Sequence, residues 1–166
     1  MGDHGMKDDD YYTAQVCLNG HAINEVLESV DDSDQRFCDT CGAQTITACQ
    51  TCGTVIRGRY RHLGFTPAPA YSPPSYCHGC GKPHPWTASS LQAARALADE
   101  LGELSSDEKE LLKGSLDDLV ADTPRTALAA TRFKRLVAKA GPVVADGFKQ
   151  ILIDVVSESA KKMMWG

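Results

Sequence analysis

CDTCGAQTITACQTCG, running from Cys38 to Gly53, sets two CxxCG units seven residues apart. How those four cysteines are shared decides the fold of the first half of the chain. All seven cysteines precede residue 81, and they group as Cys38 with Cys41, Cys49 with Cys52, and Cys77 with Cys80, leaving Cys17 alone. Four residues after Cys17 stands His21, in CLNGH. The result is four two-ligand units, Cys17/His21, Cys38/Cys41, Cys49/Cys52 and Cys77/Cys80, and two tetrahedral zinc ions need eight ligands.

The spacing has a physical reason. Two cysteines separated by two residues wrap a tight turn that brings both sulfurs about 2.3 Å from a metal, with backbone N–H groups turned toward the thiolates. The glycine that follows relieves the turn, and Gly42, Gly53 and Gly81 stand in that place. CLNGH is a longer Asn-Gly variant of the same knuckle. A redox role is disfavoured because no βαβ pattern surrounds any pair. Pairing in chain order gives one Zn2+ held by Cys17, His21, Cys38 and Cys41 and a second held by Cys49, Cys52, Cys77 and Cys80. A cross-brace would join the first unit to the third and the second to the fourth. Chain order is preferred because each half carries its own strand candidates, AINEVLESV with RFCDTC and TVIRGRY with PSYCHGC. His4, His62, His78 and His84 are then ordinary surface histidines, with His62 and His84 as reserve ligands.

FCDTCGAQTITACQTCGTVIRG followed by YCHGCGKP resembles the double zinc ribbon pattern, over Cys17 to Pro83. The whole chain, from CLNGH through CGKPHPWT to SESAKKMMWG, is also similar to a family of small bacterial proteins known only as a domain of unknown function. His21 departs from the all-cysteine ribbon. Neither resemblance implies an activity.

At 166 residues, 42% of them hydrophobic, the chain has room for one ordinary domain or two small ones. It has no apolar run of about 18 residues that would span a membrane. MGDHGMKDDDYY lacks the apolar core of a signal peptide and reads as a solvated tail over residues 1–12. The expected location is therefore cytoplasmic, where thiols stay reduced and clustered cysteines point to metal.

Charge divides the two proposed ribbons. Glu25, Glu28, Asp31, Asp32, Asp34 and Asp39 face a single Arg36 in the first, whereas Cys49 to Trp86 holds no acid and carries Arg57, Arg59, Arg61 and Lys82. On an extended strand Arg57, Arg59 and Arg61 share one face, a candidate contact for nucleic acid or an acidic partner. The formal net charge of −5 weighs against nucleic acid. TPAPAYSPPSY, with Pro67, Pro69, Pro73 and Pro74, reads as a stiff extended spacer, or as a recognition loop through Tyr71 and Tyr76.

KPHPWT joins the ribbons, residues 13–86, to an α-helical bundle over 87–166. SSLQAARALADELGEL starts a helix after a cap at Ser89 or Ser90; Ser105 with Glu108 forms a capping-box pattern. Thr123-Pro124 opens a third helix, expected to bury Leu128, Ala129, Phe133, Leu136 and Val137, and Gly141-Pro142 stops it and starts a fourth. The fourth is expected to run unbroken to about Met164, with Val144, Phe148, Ile151, Leu152, Val155, Val156 and Met163 along one apolar arc. A face that wide needs a cover, so Phe148, Ile151, Leu152 and Val155 are candidates for self-association. AKKMMWG adds the alternative of a membrane surface.

No Ser/His/Asp set, phosphate loop or framed pair of carboxylates appears, no small-molecule substrate is evident, and both metal sets close with four protein donors. The sequence reads as a small β zinc-ribbon pair followed by a helical bundle: a non-enzymatic adaptor with a protein partner or self-association. Nucleic-acid binding and membrane-surface binding are the alternatives.

Overall fold

Tyr11–Cys17 forms β1, the strand on which the N-terminal unit is built. The computed structural model describes residues 10–33, 35–61 and 69–166. The chain divides into two compact units, with the cut between Trp86 and Thr87. The expectations for His4, Asp34, His62 and Pro67 lie outside the described residues, as does most of the 1–12 tail. Tyr11 and Tyr12, assigned to that tail, belong to β1.

β1 is antiparallel to every other strand of its sheet. It pairs with β2 (Ala22–Leu27) through Thr13 with Leu27, Gln15 with Asn24 and Val16 with Ala22. β4 (Arg57–Tyr60) takes the first half of β1, Tyr11 opposite Tyr60, and β3 (Thr45–Ile46) takes the second, Cys17 opposite Thr45. A single 3-10 turn follows β2 at Val30–Asp32. Ala14, Gln15, Val16 and Cys17 are all buried, with Leu27, Ile56 and Trp86 completing a small core. Burying an amide requires partners, and Gln15 Nε2 donates to the Gln35 carbonyl at 2.6 Å and to Thr45 Oγ1 at 2.9 Å. The expected strands in RFCDTC and PSYCHGC supply only single bridges, Phe37 with Gln44 and Tyr76 with Pro83.

The second unit contains α1 (Pro85–Asp99, whose first two residues precede the cut), α2 (Ser106–Val120), α3 (Thr126–Ala140), α4 (Pro142–Leu152) and α5 (Glu158–Trp165). α1 begins five residues earlier than the Ser89 cap suggests, because Pro85 supplies the fixed φ and missing N–H that suit a first helical position. Within KPHPWT, His84, Trp86 and Thr87 are buried. The capping box is present, with Ser105 Oγ accepting from the Glu108 N–H at 3.3 Å and Glu108 Oε2 accepting from the Ser105 N–H at 3.1 Å. Gly141, at φ +91°, ends α3, and Pro142 opens α4.

The fourth helix is not continuous. The Val155 and Val156 N–H groups both turn back to the Leu152 carbonyl, and the Ser157 N–H donates to the Leu119 carbonyl at the end of α2, 2.9 Å away. That contact satisfies one of the acceptors a helix C-terminus leaves open. Ser157 then caps α5 by accepting from the Ala160 N–H. The break changes the reading of the apolar face. Phe148, Leu152 and Val155 are 0%, 0% and 3% exposed and Ile151 is half-buried, so the chain itself covers most of this face. Phe148 meets Phe133 edge to face at 5.3 Å. Leu128 and Met163, expected to be buried, are 50% and 42% exposed, and Met164 is buried instead.

Candidate metal centres

Three cysteine pairs occupy the same backbone turn. In each, the N–H of the first cysteine donates to the carbonyl five residues on, Cys38 to Ala43 at 2.8 Å, Cys49 to Thr54 at 2.8 Å and Cys77 to Lys82 at 2.9 Å. The following glycine N–H returns to the carbonyl of that first cysteine, from Gly42, Gly53 and Gly81. These glycines have φ of 71°, 76° and 73°, the left-handed region where a side chain is strained. One antiparallel bridge flanks each turn: Phe37 with Gln44, Ala48 with Val55, Tyr76 with Pro83. The fourth turn is one residue shorter. The Cys17 N–H donates to the His21 carbonyl at 3.0 Å, and the glycine, Gly20, comes before the second ligand.

Two tetrads result. Cys17, His21, Cys38 and Cys41 form one and Cys49, Cys52, Cys77 and Cys80 the other, each with its donor atoms within 4.8 Å of one another. The grouping follows chain order, not a cross-brace. In the first set Cys17 Sγ lies 3.8 Å from Cys41 Sγ and 3.4 Å from His21 Nδ1, and Cys38 Sγ lies 3.6 Å from that nitrogen. In the second, Cys49 to Cys80 is 3.9 Å and Cys52 to Cys77 is 3.6 Å. A tetrahedron with sulfurs about 2.3 Å from its centre has edges of about 3.8 Å, whereas a disulfide would bring sulfurs to about 2.05 Å. The separations fit a shared ion, and all seven thiols are free.

The surroundings stabilise thiolate. Cys52 is held down to about 6 by the Thr54 hydroxyl, 3.2 Å from its sulfur, and by the Thr54 N–H. Cys41 is lowered by the Ala43 N–H and by Asn19, whose Nδ2 donates to the sulfur at 3.4 Å. Cys49 is lowered by the Thr51 and Cys52 N–H groups. For Cys38 burial opposes ionisation, but the Cys41 and Thr40 N–H groups outweigh it and the thiol is lowered. Cys17 is raised by burial. Although the Lys82 N–H pulls Cys80 down, burial and the neighbouring Cys52, Cys77 and Cys49 push it up to about 11. Each set therefore places thiols whose ionisation is favoured beside one whose ionisation is opposed, and an arriving cation displaces the protons that remain.

Asn19 and Thr54 are sulfur partners that the cysteine count does not reveal, although their places inside CLNGH and CQTCGT mark them as turn residues. His84 differs from its surface assignment. It is 2% exposed and stacked on Trp86 at 4.6 Å, with Nδ1 lacking a hydrogen-bond partner, and burial and then the nearby His78 lower its pKa. Neither His78, which is exposed in the last turn, nor His84 belongs to a tetrad.

Arg57 and Arg59 of β4, and Arg61 just after it, are engaged rather than presented. Arg59 pairs with Glu25 at 2.5 Å and Arg61 with Glu28 at 2.7 Å, and the guanidinium groups of Arg57 and Arg61 lie over the rings of Tyr11 and Tyr12 at 4.8 and 4.2 Å. The acids of the first half thus compensate the cations of the second. Tyr71 likewise faces inward, its hydroxyl donating to the Arg57 carbonyl at 2.7 Å.

The chain belongs to a bacterial family described as "Uncharacterized protein conserved in bacteria (DUF2321)", whose model matches residues 10–164. Comparison with curated proteins and with solved structures finds no match in either.

Proposed function

We propose that this family member is a non-enzymatic, zinc-stabilised adaptor: a double zinc ribbon that orders the N-terminal unit, followed by a helical unit that contacts a protein partner. The observation that carries the reading is the closure of both tetrads. One offers three cysteine sulfurs with an imidazole nitrogen and the other four cysteine sulfurs, at tetrahedral separations, which is the pattern of structural zinc and leaves no open position for water or substrate. The small apolar core of the N-terminal unit supports the same view, since units of this size are commonly held by metal.

No helix among the described residues is long and apolar enough to cross a membrane, and a cytoplasmic location accords with reduced thiols. Arg59 and Arg61 are paired with Glu25 and Glu28, which favours the adaptor reading over nucleic-acid binding through that face. The division of the last helical stretch into α4 and α5 likewise favours the adaptor reading over binding to a membrane surface.

Elemental analysis of purified protein tests this reading. Two zinc ions per chain are expected, and a chelator should abolish the dispersed NMR signals of the N-terminal unit while helical circular dichroism persists. One ion per chain, or iron in place of zinc, would overturn it.

A further inference from the structure

α3 and the residue leading into it carry Arg125, Arg132, Lys134, Arg135 and Lys139 and no acid. Three of these cations are occupied. Asp118 holds Arg125, Glu108 holds Lys139, and Lys134 Nζ donates to the Met163 carbonyl near the end of α5 at 3.1 Å. Among the described residues, Arg132, Arg135 and Lys162 of α5 make no ion pair, although the charge of Glu158, itself paired with Lys161, reaches Lys162. Between the two helices lies an open groove of about 550 Å³ lined by Ala130, Thr131, Lys134, Arg135 and Met163. Leu128, one turn before Arg132 on the same helix, is 50% exposed and Met163 is 42% exposed. Positive charge and exposed apolar surface therefore coincide.

We propose that this groove docks an acidic segment of a partner protein, which sets an apolar side chain against Met163 and its carboxylates against Arg132, Arg135 and Lys162. The proposal rests on the adaptor reading and gives its partner a chemistry. Charge complementarity selects an acidic occupant, and the apolar lining selects one with a hydrophobic anchor. A second copy of this chain is a poor occupant, because four of the five carboxylates of α2 are already taken: Glu108 by Lys139, Glu110 by Lys113, Asp117 by Arg95 and Asp118 by Arg125. A lipid surface is a poor one too. The site is concave, Met164 is buried, and the Trp165 ring is turned onto Phe133 at 6.4 Å instead of being free to insert.

The test uses the full-length zinc-loaded protein, with fluorescence anisotropy of a labelled peptide in which one leucine is flanked by glutamates, its leucine-to-serine twin, and phosphatidylglycerol vesicles. The leucine peptide should bind more tightly than the twin, weaken as salt is raised, and lose roughly tenfold in affinity with Arg135→Glu. Met163→Ser should narrow the difference between the peptides. Equal binding of both peptides, no effect of Arg135→Glu, or binding of vesicles but of neither peptide would each overturn the proposal. Zinc measured on the same samples separates the two readings: failure with two ions bound removes the groove alone, whereas a different stoichiometry removes the adaptor.

Discussion

Gly20 lies against Trp86 so closely that a methyl group on its α-carbon would sit 3.0 Å from Trp86 Cβ and 3.2 Å from Cγ. The glycine belongs to the turn that carries His21, and the tryptophan follows the turn that carries Cys80. The indole Nε1 donates to the Pro74 carbonyl at 3.1 Å, which holds the ring in place. Trp86 thereby bridges the first ligand turn and the last. Gly20 also has φ +91°, so Gly20→Ala combines backbone strain with a clash and is expected to cost about 2–3 kcal/mol. Thermal melts read the loss. In a Trp165→Phe background the emission of Trp86 should shift toward that of an exposed indole, and an unchanged spectrum and melting temperature would contradict the contact.

Cys49→Ser removes one corner of the second tetrad and touches no donor of the first. The expected metal content is one zinc per chain, with the ring signals of His21 unchanged. Loss of both ions, or perturbation of His21, would show that the sets share ligands.

Arg59 and Glu25 are both about a third exposed or less, at 27% and 31%. A double-mutant cycle with Arg59→Ala and Glu25→Ala should give a coupling of about 0.5–1 kcal/mol, in the upper range for partly exposed pairs. The same variants should leave zinc content at two. If Arg59→Ala instead abolished retention on nucleic acid at low salt, the engaged-arginine account of β4 would fail.

Burial pushes the Tyr71 phenol well above its ordinary value, and the charge of Glu25 adds to the shift. The neutral phenol is the form the fold accommodates. Its contribution is therefore present below the unfolded pKa of about 10 and is lost as pH rises above it. Denaturant melts between about pH 8 and pH 11 should show falling stability that is flatter in Tyr71→Phe. At neutral pH that variant should lose about 1 kcal/mol, because the Arg57 carbonyl loses its donor.

The ligand turns were legible because their chemistry is local: spacing, trailing glycine and ligand count all sit within a few residues. The same holds for the Ser105/Glu108 box and the Gly141-Pro142 junction. β1 was partly hidden because its first residues, Tyr11 and Tyr12, directly follow the acidic tail. The division after Leu152 could not be read either, since Val155 and Val156 continue the helical period and the break is held by Ser157 reaching Leu119 in another helix. Arg59 and Arg61 looked free because their partners Glu25 and Glu28 are 34 and 33 residues away in sequence. The last two misses were long-range contacts overriding a sound local pattern.

The two ligand sets do not interleave: Cys41 closes the first before Cys49 opens the second. A chain emerging from the ribosome therefore completes its first set of donors while Cys77 and Cys80 are still unmade. A metal ion captured then closes a span of 24 residues, Cys17 to Cys41, and withdraws those thiols from mismatched capture or oxidation before the next four appear. In a cross-braced arrangement the first set would wait on residues of the third turn, and every sulfur made in the interval would stay uncommitted. Order along the chain thus doubles as order in time, and the nascent protein needs to guard only one half-built site at once.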